Sequence, residues 1–495
     1  CIRDRYHTLC YDKYLMDRTK NKVIFYITLG LLVAAGVLFR VLFFSYARPF
    51  WNDECALALN LLNRNFIQLF APLDFSQVTP PLYACVCKFC AVFSKQHEIA
   101  FRLPSLIFGL LSVIVFCLLS LKTLKSKAAV LFANMLFVLN YQLIYFSQEL
   151  KHYACDVFCF CAILLFVFYV DKIKDNFKLL VATGILFALS VWFSYTASFA
   201  LFAVFLILQK LSKKQLFALF VLPGLSLVMF AIYTFRLHTD GFLNDFWTQG
   251  FIAKNFSNIL SLCAANLAYY FEDFKAKIII VIMFVAGLYV LFKNIKVKRN
   301  LVLAIPFLTA FALSYFKIYP LYLRTAIYLF PVFVLVLSLA FQNLWCKRKP
   351  VYIFASIVLG MMFFMSSIAT DYRLILQKHY YREDTKNLLQ LFEKESNNKC
   401  TLIVPYSSSI NFEYYKNSVS DPSQNIYVLK TPLYEQRQIK EVYDLLPSNR
   451  CYYILFTHSA DKPYVFKNLS AYAGLQKNAR VFSDEHYNAL IKFEK

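Results

Sequence analysis

The apolar residues of this chain form long runs that are separated by short polar or basic stretches. A run of about 17 to 25 mostly apolar residues is long enough for a helix to cross the hydrocarbon core of a bilayer. Eleven such helices are predicted, at residues 23–46, 100–121, 128–146, 153–170, 178–194, 197–209, 216–235, 277–292, 301–316, 325–342 and 351–369. The pattern therefore predicts a polytopic α-helical membrane protein.

The segments 178–194 and 197–209 are separated by only a short polar break, so a single bent helix is the alternative. Charge favours two helices. With eleven crossings and the N-terminus inside, the compact clusters of Lys and Arg all fall on the cytoplasmic side, as the positive-inside tendency predicts. The first run is interpreted as a retained helix because it is too long for the apolar region of a signal peptide.

The pattern changes from Asp371 onward, where the charge density rises. Strands are predicted in CTLIVPY, NIYVLK and CYYILFTH, and helices in REDTKNLLQLFEKES and EQRQIKEVYDLL. We therefore predict a transmembrane domain at 1–369, with outer loops at 47–99 and 236–276, and an extracytoplasmic α/β domain at 370–495. Structural support or acceptor binding is the expected role of this second domain.

Two cysteines of this tail, Cys400 and Cys451, each stand at the start of a predicted strand. If the strands are parallel neighbours, the Cα atoms can lie within the roughly 4.4 to 6.8 Å that a disulfide tolerates. If the strand in NIYVLK lies between them, two buried thiols result. The sequence leaves both arrangements open.

Composition agrees with a membrane protein and excludes other classes. Hydrophobic residues make up 59% of the 495 residues and the mean hydropathy is +0.52, which exceeds what a soluble core of this size requires. The net charge of +23 would suit nucleic acid, but the Lys and Arg lie in short clusters between apolar runs, where they orient the helices. Nucleic acid is therefore not a predicted partner.

Three carboxylates are predicted on the outer face. Asp53 and Glu54 follow the first helix, and Glu149 follows the third. A carboxylate at a helix end beside water costs little, so simple solvation is the alternative interpretation. An acidic residue in this place can also act as a general base for a hydroxyl or amine acceptor.

Three arginines are predicted near the same face. Arg40 lies inside the first helix near its outer end, Arg102 begins the second helix, and Arg324 begins the tenth. An arginine at the depth of Arg40 is costly unless it snorkels or binds an anion. Guanidinium groups neutralise the charge that develops on a departing phosphate. A phosphate-activated substrate outside the membrane would most economically arrive attached to a lipid.

The residues around these positions resemble a known superfamily. LFRVLFFSYARPFWNDECALALNLL, TPPLYACVCKF, IAFRLPSLIFGLLS and LIYFSQELKHYACDVF, in that order, resemble the N-terminal half of the GT-C glycosyltransferases, which include the protein O-mannosyltransferases and the lipid A aminoarabinose transferase. YLRTAIYLFPVFVLVL and YREDTKNLLQLFE are similar to bacterial members. The resemblance covers nearly the whole chain.

The resemblance implies an inverting hexosyl or pentosyl transfer from a polyprenyl-phosphate donor to a lipid, glycan or protein acceptor. It also implies a bacterial inner membrane location, and the basic clusters predict that the N-terminus is cytoplasmic. In the family, the first acidic residue of the Asp-Glu pair is the catalytic acid or base, which carries over to Asp53. Glu54 and Glu149 are the other expected acidic residues of the catalytic site.

The resemblance further implies a set of donor-phosphate ligands. Together with the arginines already named, the expected set is Arg40, Arg102, Lys151, His152, Tyr153 and Arg324. Pro80 and Pro81 match a double proline that shapes the outer loop through its fixed φ angles. Thr79 departs from the family pattern, because many relatives have His or Lys there, and a phosphate contact at this position is in doubt.

No metal or other cofactor is predicted, although Mg²⁺ or Mn²⁺ on the three carboxylates is chemically possible. The thiols of Cys85, Cys87 and Cys90 are spaced so that they point around a helix instead of converging, so they are expected to be core residues. The competing hypothesis is a transporter or flippase of envelope glycan precursors. Internal inverted repeats would favour it, and the two halves of the sequence show no such symmetry.

Overall fold

The structure is a computed structural model that describes most of the chain. The described residues are 2–94, 96–237, 247–252, 256–271, 277–293, 295–375, 383–396, 400–418, 426–429, 451–457, 480–483 and 489–494. They form two compact units. The first unit contains residues 1–45, 79–86 and 102–377, and the second contains residues 46–78, 87–101 and 378–495.

Helices make up the first unit, and a few more belong to the second. Those up to residue 207 are α1 (Ile2–Ser45), α2 (Asn52–Asn63), α3 (Pro81–Cys90), α4 (His97–Ala100), α5 (Leu103–Thr123), α6 (Lys127–Val138), α7 (Tyr141–Phe146), α8 (Tyr153–Phe166), α9 (Val170–Ile173), α10 (Phe177–Phe193) and α11 (Ala197–Ile207). Those that follow are α12 (Lys213–Leu237), α13 (Phe256–Tyr270), α14 (Lys277–Lys293), α15 (Lys298–Tyr315), α16 (Phe330–Trp345), α17 (Pro350–Ile375), α18 (Thr385–Ser396) and α19 (Ser409–Tyr415).

Each of the eleven predicted spans coincides with described helix, with three differences in detail. The first helix begins at Ile2 instead of residue 23. The third span is divided, because Asn140 accepts a hydrogen bond from the Leu143 amide at 3.2 Å and so caps a new helix, α7. In the tenth span, the α-helix α16 begins at Phe330, after a 3-10 segment at Leu323–Leu329.

The doubtful pair of segments forms two helices, α10 and α11. Ser194 ends the first of them, and its hydroxyl oxygen accepts a hydrogen bond from the Ala197 amide at 3.2 Å. This contact satisfies an amide at the start of α11 that has no partner within the helix. The polar break is therefore a helix boundary, while the number of membrane crossings stays a prediction.

Five helical segments are long and apolar enough to cross a membrane, judged by length and composition among the described residues. They are Lys22–Ser45, His97–Thr123, Lys213–Thr234, Leu323–Trp345 and Pro350–Arg373. Shorter apolar helices such as α8, α10 and α11 accompany them. Inside the first unit, α10 packs on α12, α5 on α8, and α14 on α16.

The second unit is built around a five-stranded sheet. Its strands are β1 (Thr401–Val404), β2 (Ile426–Val428), β3 (Cys451–Phe456), β4 (Arg480–Ser483) and β5 (Ala489–Glu494), in the spatial order β2-β1-β3-β5-β4. β1 pairs in parallel with β2 and β3, whereas β5 is antiparallel to β3 and β4. The ring of Phe392 on α18 lies 5.2 Å from that of Tyr453 on β3.

The structure of this unit confirms the three predicted strands and the helix predicted in REDTKNLLQLFEKES. The helix predicted in EQRQIKEVYDLL and parts of the predicted outer loop 236–276 lie outside the described residues. The domain boundaries at 1–369 and 370–495 stay a prediction. By their contacts, residues 46–78 and 87–101 group with the C-terminal segment.

The open question about the tail cysteines is answered by the strand order. β2 lies on the far side of β1, so β1 and β3 are direct neighbours, with Thr401 opposite Tyr452. Cys400 and Cys451 consequently lie side by side, with their Cα atoms 4.6 Å apart, and form a disulfide. This separation lies in the range that a disulfide accepts.

Candidate functional site

The two adjacent carboxylates Asp53 and Glu54 lie in the first turn of α2, in the second unit. Acidic side chains are favourable here because the first amides of a helix are unpaired and carry partial positive charge. The environments of the two side chains differ. Glu54 is fully buried, whereas Asp53 is half-buried.

Glu54 has structural partners. Its Oε2 lies 3.3 Å from Nη1 of Arg48, in an ion pair whose side chains are 4% and 0% exposed. The same oxygen accepts a hydrogen bond from the Trp51 amide at 3.4 Å, directly before the helix. A buried carboxylate requires such compensation. Glu54 therefore fixes the entry to α2, and Asp53 is the carboxylate of the pair that is partly exposed.

The predicted residues after the third span lie in the first unit, where side-chain hydroxyl groups hold the backbone. Tyr83 Oη donates a hydrogen bond to the carbonyl of Lys151 at 2.8 Å, and Ser105 Oγ donates one to the carbonyl of Glu149 at 2.6 Å. Both donors are buried. Glu149 and Lys151 are 1% and 6% exposed, so this connection between helices is an ordered part of the core.

His152 lies among polar side chains from three segments. Its Nδ1 is 3.4 Å from Thr79 Oγ1, and its Nε2 is 3.6 Å from Asp156 Oδ2. Ser194 Oγ donates a hydrogen bond to the other oxygen of Asp156 at 2.6 Å. Thr79, the departure from the family pattern, therefore contacts His152.

Burial lowers the pKa of His152 to about 3, and the positive charges of Lys151 and Arg324 act in the same direction. The imidazole is therefore neutral at physiological pH. A neutral ring can donate one hydrogen bond but adds no positive charge to a phosphate. Among the predicted phosphate ligands, Lys151 and Arg324 carry the charge near this position.

The two arginines at helix starts are held differently. Arg102 directly precedes α5 and is 1% exposed. Arg324 is half-buried, and its guanidinium carbon lies 5.7 Å from the centre of the Trp247 ring. Such an aromatic face attracts a cation and restricts its orientation. Tyr153 is 7% exposed and begins α8, directly after His152.

Arg40 has contacts of another kind, within the helices of the first unit. Its Nη1 donates hydrogen bonds to the carbonyls of Gly36 at 2.9 Å and Val138 at 3.0 Å. Asp371 on α17 is close enough to interact with it electrostatically. Within the described part of the chain, no hydrogen-bond partner reaches Nε or Nη2 of Arg40, or either carboxylate oxygen of Asp371.

The double proline forms the start of α3. Pro81 is the first residue of this helix, where its missing amide hydrogen costs nothing, and the Pro80 carbonyl accepts from the Ala84 amide at 3.1 Å. Two residues further on, Tyr83 reaches the Lys151 carbonyl. Pro80 and Pro81 thus fix the helix that carries this tyrosine.

Several residues around the candidate site were not predicted. They are Arg48, Tyr83, Ser105, Asp156, Ser194 and Asp371. Asp156 and Asp371 had a detectable signal, because a carboxylate within an apolar helix is rare and requires a partner. Arg48 stands only six residues before Glu54. Ser105 and Ser194 have no local signal, since their partners lie 44 and 38 residues away.

The fold is similar to that of ArnT from Cupriavidus metallidurans. The structure of that protein bound to undecaprenyl phosphate matches with a TM-score of 0.52 and 8% sequence identity, over 94% of this chain and 98% of ArnT. Its apo structure matches with a TM-score of 0.50 and 11% identity, over 96% and 98%. The apo oligosaccharyltransferase of Archaeoglobus fulgidus gives a weaker match, with a TM-score of 0.48 and 12% identity, over 90% and 71%.

No family model matches the sequence, and no curated protein matches it. The similarity to ArnT therefore concerns the fold. At this level it confirms the ArnT-like fold that the motifs predicted. Together with its apolar helices, this fold makes the chain a multi-pass membrane protein.

Proposed function

We propose that this protein transfers a sugar from a polyprenyl-phosphate donor to an acceptor on the outer face of a bacterial inner membrane, with inversion at the anomeric carbon. The observation that carries the proposal is the difference in exposure between Asp53 and Glu54. Glu54 is fully buried, whereas Asp53 is partly exposed in the first turn of a helix. The ArnT-like fold supports the donor class, since ArnT has been seen bound to undecaprenyl phosphate.

In the proposed reaction, an acceptor hydroxyl or amine attacks the anomeric carbon of the sugar and loses its proton to Asp53. The new bond forms on the face opposite the phosphate, and the bond between the anomeric carbon and the phosphate oxygen breaks. The electron pair of that bond leaves with the polyprenyl phosphate. General base assistance of this kind contributes about 10²- to 10⁴-fold to the rate.

The departing phosphate gains negative charge, and cationic side chains are proposed to stabilise it. Lys151 and Arg324 are the proposed charged ligands, with Arg102 as a further cation. His152, being neutral, would contribute a hydrogen bond only. Glu149, Tyr153 and Arg40 keep their predicted roles as proposals.

The test is a transfer assay with the purified protein in nanodiscs. Undecaprenyl-phosphate-linked hexose, pentose and aminopentose donors are supplied with labelled sugar, and bacterial envelope extract is the acceptor source. We expect release of undecaprenyl phosphate and labelled product with at least one donor. Asp53→Asn should lose about 10²- to 10⁴-fold of the turnover.

Asp74→Asn is the matched control, because Asp74 belongs to the same unit and is 65% exposed in a surface ion pair with Arg64. It should keep the wild-type rate. Equal turnover in Asp53→Asn and wild type would remove Asp53 from the mechanism. If no donor is consumed by the wild type, the transferase proposal fails, and a carrier that moves the intact donor becomes the better hypothesis.

A further inference from the structure

Two backbone amides at the start of α2 are held by side chains from the C-terminal segment of the same unit. The Phe50 amide donates a hydrogen bond to Tyr415 Oη at 2.6 Å, and the Asn52 amide donates one to Glu383 Oε2 at 2.7 Å. The acceptors are 365 and 331 positions away along the chain. Phe50 and Asn52 stand shortly before Asp53, at the entry to the first turn of α2.

Glu383 is itself fixed by buried neighbours. Asn411 on α19 donates to the same Oε2 at 2.5 Å, and its Nδ2 also lies 3.2 Å from Thr385 Oγ1. Glu383 is 2% exposed, and Asn411 and Thr385 are fully buried. The carboxylate faces the N-terminal end of α2, where negative charge is favourable. Its position is therefore determined from several sides.

Tyr415 acts as both acceptor and donor. While its oxygen accepts from Phe50, its hydroxyl donates to Glu98 Oε1 at 3.5 Å, and Glu98 pairs with Lys386 at 3.3 Å. Burial raises the pKa of Tyr415 well above its usual range, so the phenol keeps the proton it donates. Tyr415 is 2% exposed.

Aromatic packing also holds the side chain of Phe50. The ring of Phe50 stacks on Phe101 at 6.4 Å with an interplanar angle of 11°, and it lies 5.4 Å from the ring of Tyr414. Phe50 is fully buried. Backbone and side chain of Phe50 are thus both restrained two residues before α2 begins.

From these contacts we infer that Glu383 and Tyr415 are positioning residues, through which the C-terminal segment orients Asp53. This inference rests on the proposed function, in which Asp53 takes the proton of the acceptor. Tethering the amides on both sides of the Trp51 peptide fixes the direction of the first helical turn. Small misplacements of a reacting group are expensive, since about 1 Å can cost about 10²-fold in rate.

The inference gives the α/β segment a role in catalysis that acceptor binding alone would not require. The opening of this segment, YREDTKN, contains Glu383. A helix N-terminus presents unpaired amides, and a distant carboxylate and phenol satisfy two amides at this entry.

The test compares four variants of the full chain in nanodiscs. Glu383→Ala removes the acceptor of the Asn52 amide, Glu383→Gln retains an oxygen that can accept it, and Tyr415→Phe removes one hydroxyl group. Glu413→Gln is the matched control, because Glu413 lies on α19 and is 52% exposed. Hydrogen exchange of the peptide over residues 46–60 and the kinetics of donor turnover are measured for each.

We expect faster amide exchange in this peptide for Glu383→Ala and Tyr415→Phe, and wild-type exchange for Glu413→Gln. We expect kcat to fall about 10- to 100-fold in these two variants, with KM for the donor changed less than about threefold. Glu383→Gln should recover most of the lost kcat, which a general loss of folding would not predict. If Glu383→Ala fails to fold, Tyr415→Phe carries the test alone.

Unchanged exchange in both variants would overturn the inference, and so would unchanged kcat in a chain whose wild type is active. A wild type that consumes no donor contradicts the proposed function and, with it, the role of this tether in catalysis. Faster exchange in that inactive chain would show that the tether exists without a catalytic purpose. The two failures are therefore distinguishable.

Discussion

The first unit, called the helical unit here, and the second, called the α/β unit, support the backbone near their candidate site residues in different ways. The helical unit uses hydrogen-bond donors, and the α/β unit uses hydrogen-bond acceptors. In the first unit, the hydroxyl groups of Tyr83 and Ser105 donate to backbone carbonyls between α7 and α8. In the second unit, the oxygens of Glu383 and Tyr415 accept from backbone amides before α2. A segment that follows a helix presents carbonyls, whereas a segment that opens one presents amides. The backbone therefore determines which kind of side chain can support it.

The two regions also differ in charge. Supports in the first unit are neutral hydroxyl groups, but those in the second include the buried ion pair of Arg48 and Glu54. Hydrogen bonds to ionised groups are roughly twice as strong as neutral ones, and loss of one partner leaves a buried charge. Removing a support should therefore cost more in the α/β unit than in the helical unit.

The largest effect is expected for Arg48→Met. This change leaves Glu54 buried without its cation, which costs about 3 to 5 kcal/mol for pairs of this kind. Unfolding in denaturant, followed by tryptophan fluorescence, measures the loss. The double variant Arg48→Met with Glu54→Leu should recover most of it, since both charges are then absent.

Lys416→Met is the control for this comparison, because Lys416 forms an ion pair with Glu413 on the surface of the same unit, at 43% and 52% exposure. An exposed pair contributes about 0 to 1 kcal/mol. A loss in Arg48→Met no greater than that in Lys416→Met would contradict the proposed contrast between the units.

The disulfide of the α/β unit should give the next largest effect. It closes a loop of 51 residues, and its removal in Cys400→Ser/Cys451→Ser is expected to cost about 3 to 4 kcal/mol on the chain-entropy description. Cys263→Ser, at an exposed position in the first unit, serves as the control. Mass spectrometry of the non-reduced protein checks the bond directly, and free thiols at both positions would refute it.

A smaller effect is expected in the helical unit. Ser105→Ala removes the donor to the Glu149 carbonyl, and a buried group left unsatisfied costs about 1 to 3 kcal/mol. Ser112→Ala on the same helix is the control, because Ser112 bonds only to the nearby Gly109 carbonyl at 2.7 Å in the described contacts. Melting temperatures compare the two. Equal losses would show that the long-range hydrogen bond adds nothing.

The sequence predicts the local parts of this architecture well. Apolar runs identify eleven helical segments because each run reflects burial in lipid or protein along a single helix. Asp53 and Glu54 could likewise be identified from the local sequence, because they are adjacent carboxylates directly after the first predicted helix. The superfamily resemblance extends this to the fold, which the similarity to ArnT confirms.

The contacts that hold the candidate site residues join positions far apart in the sequence, so they could not be predicted from it. Nothing local indicates that Glu383 accepts from Asn52, 331 positions away. Whether Cys400 and Cys451 form a disulfide could not be predicted, because the sequence of a single strand does not determine the order of the strands in the sheet. Strands β4 and β5 were not predicted; β4 pairs with β5, and β5 also pairs with β3.

The last effect is expected from acid, and it concerns His152 in the helical unit. Its pKa is lowered to about 3 by burial, with Lys151 and Arg324 adding to the effect, against an ordinary value of 6.5. Since the unfolded chain binds this proton more readily, the stability from the neutral ring is complete above about pH 6.5 and declines as the pH falls toward about 3. The decline is about 1.4 kcal/mol for each pH unit in that window. His152→Asn, which keeps a polar group beside Thr79 and Asp156, should therefore lose about 2 kcal/mol less than the wild type between pH 6.5 and pH 5. Melting curves over this range measure the difference, with His97→Asn in the α/β unit as the control. Parallel pH profiles for wild type and His152→Asn would mean that folding does not lower the pKa of His152, and the assignment of a neutral buried ring would then be wrong.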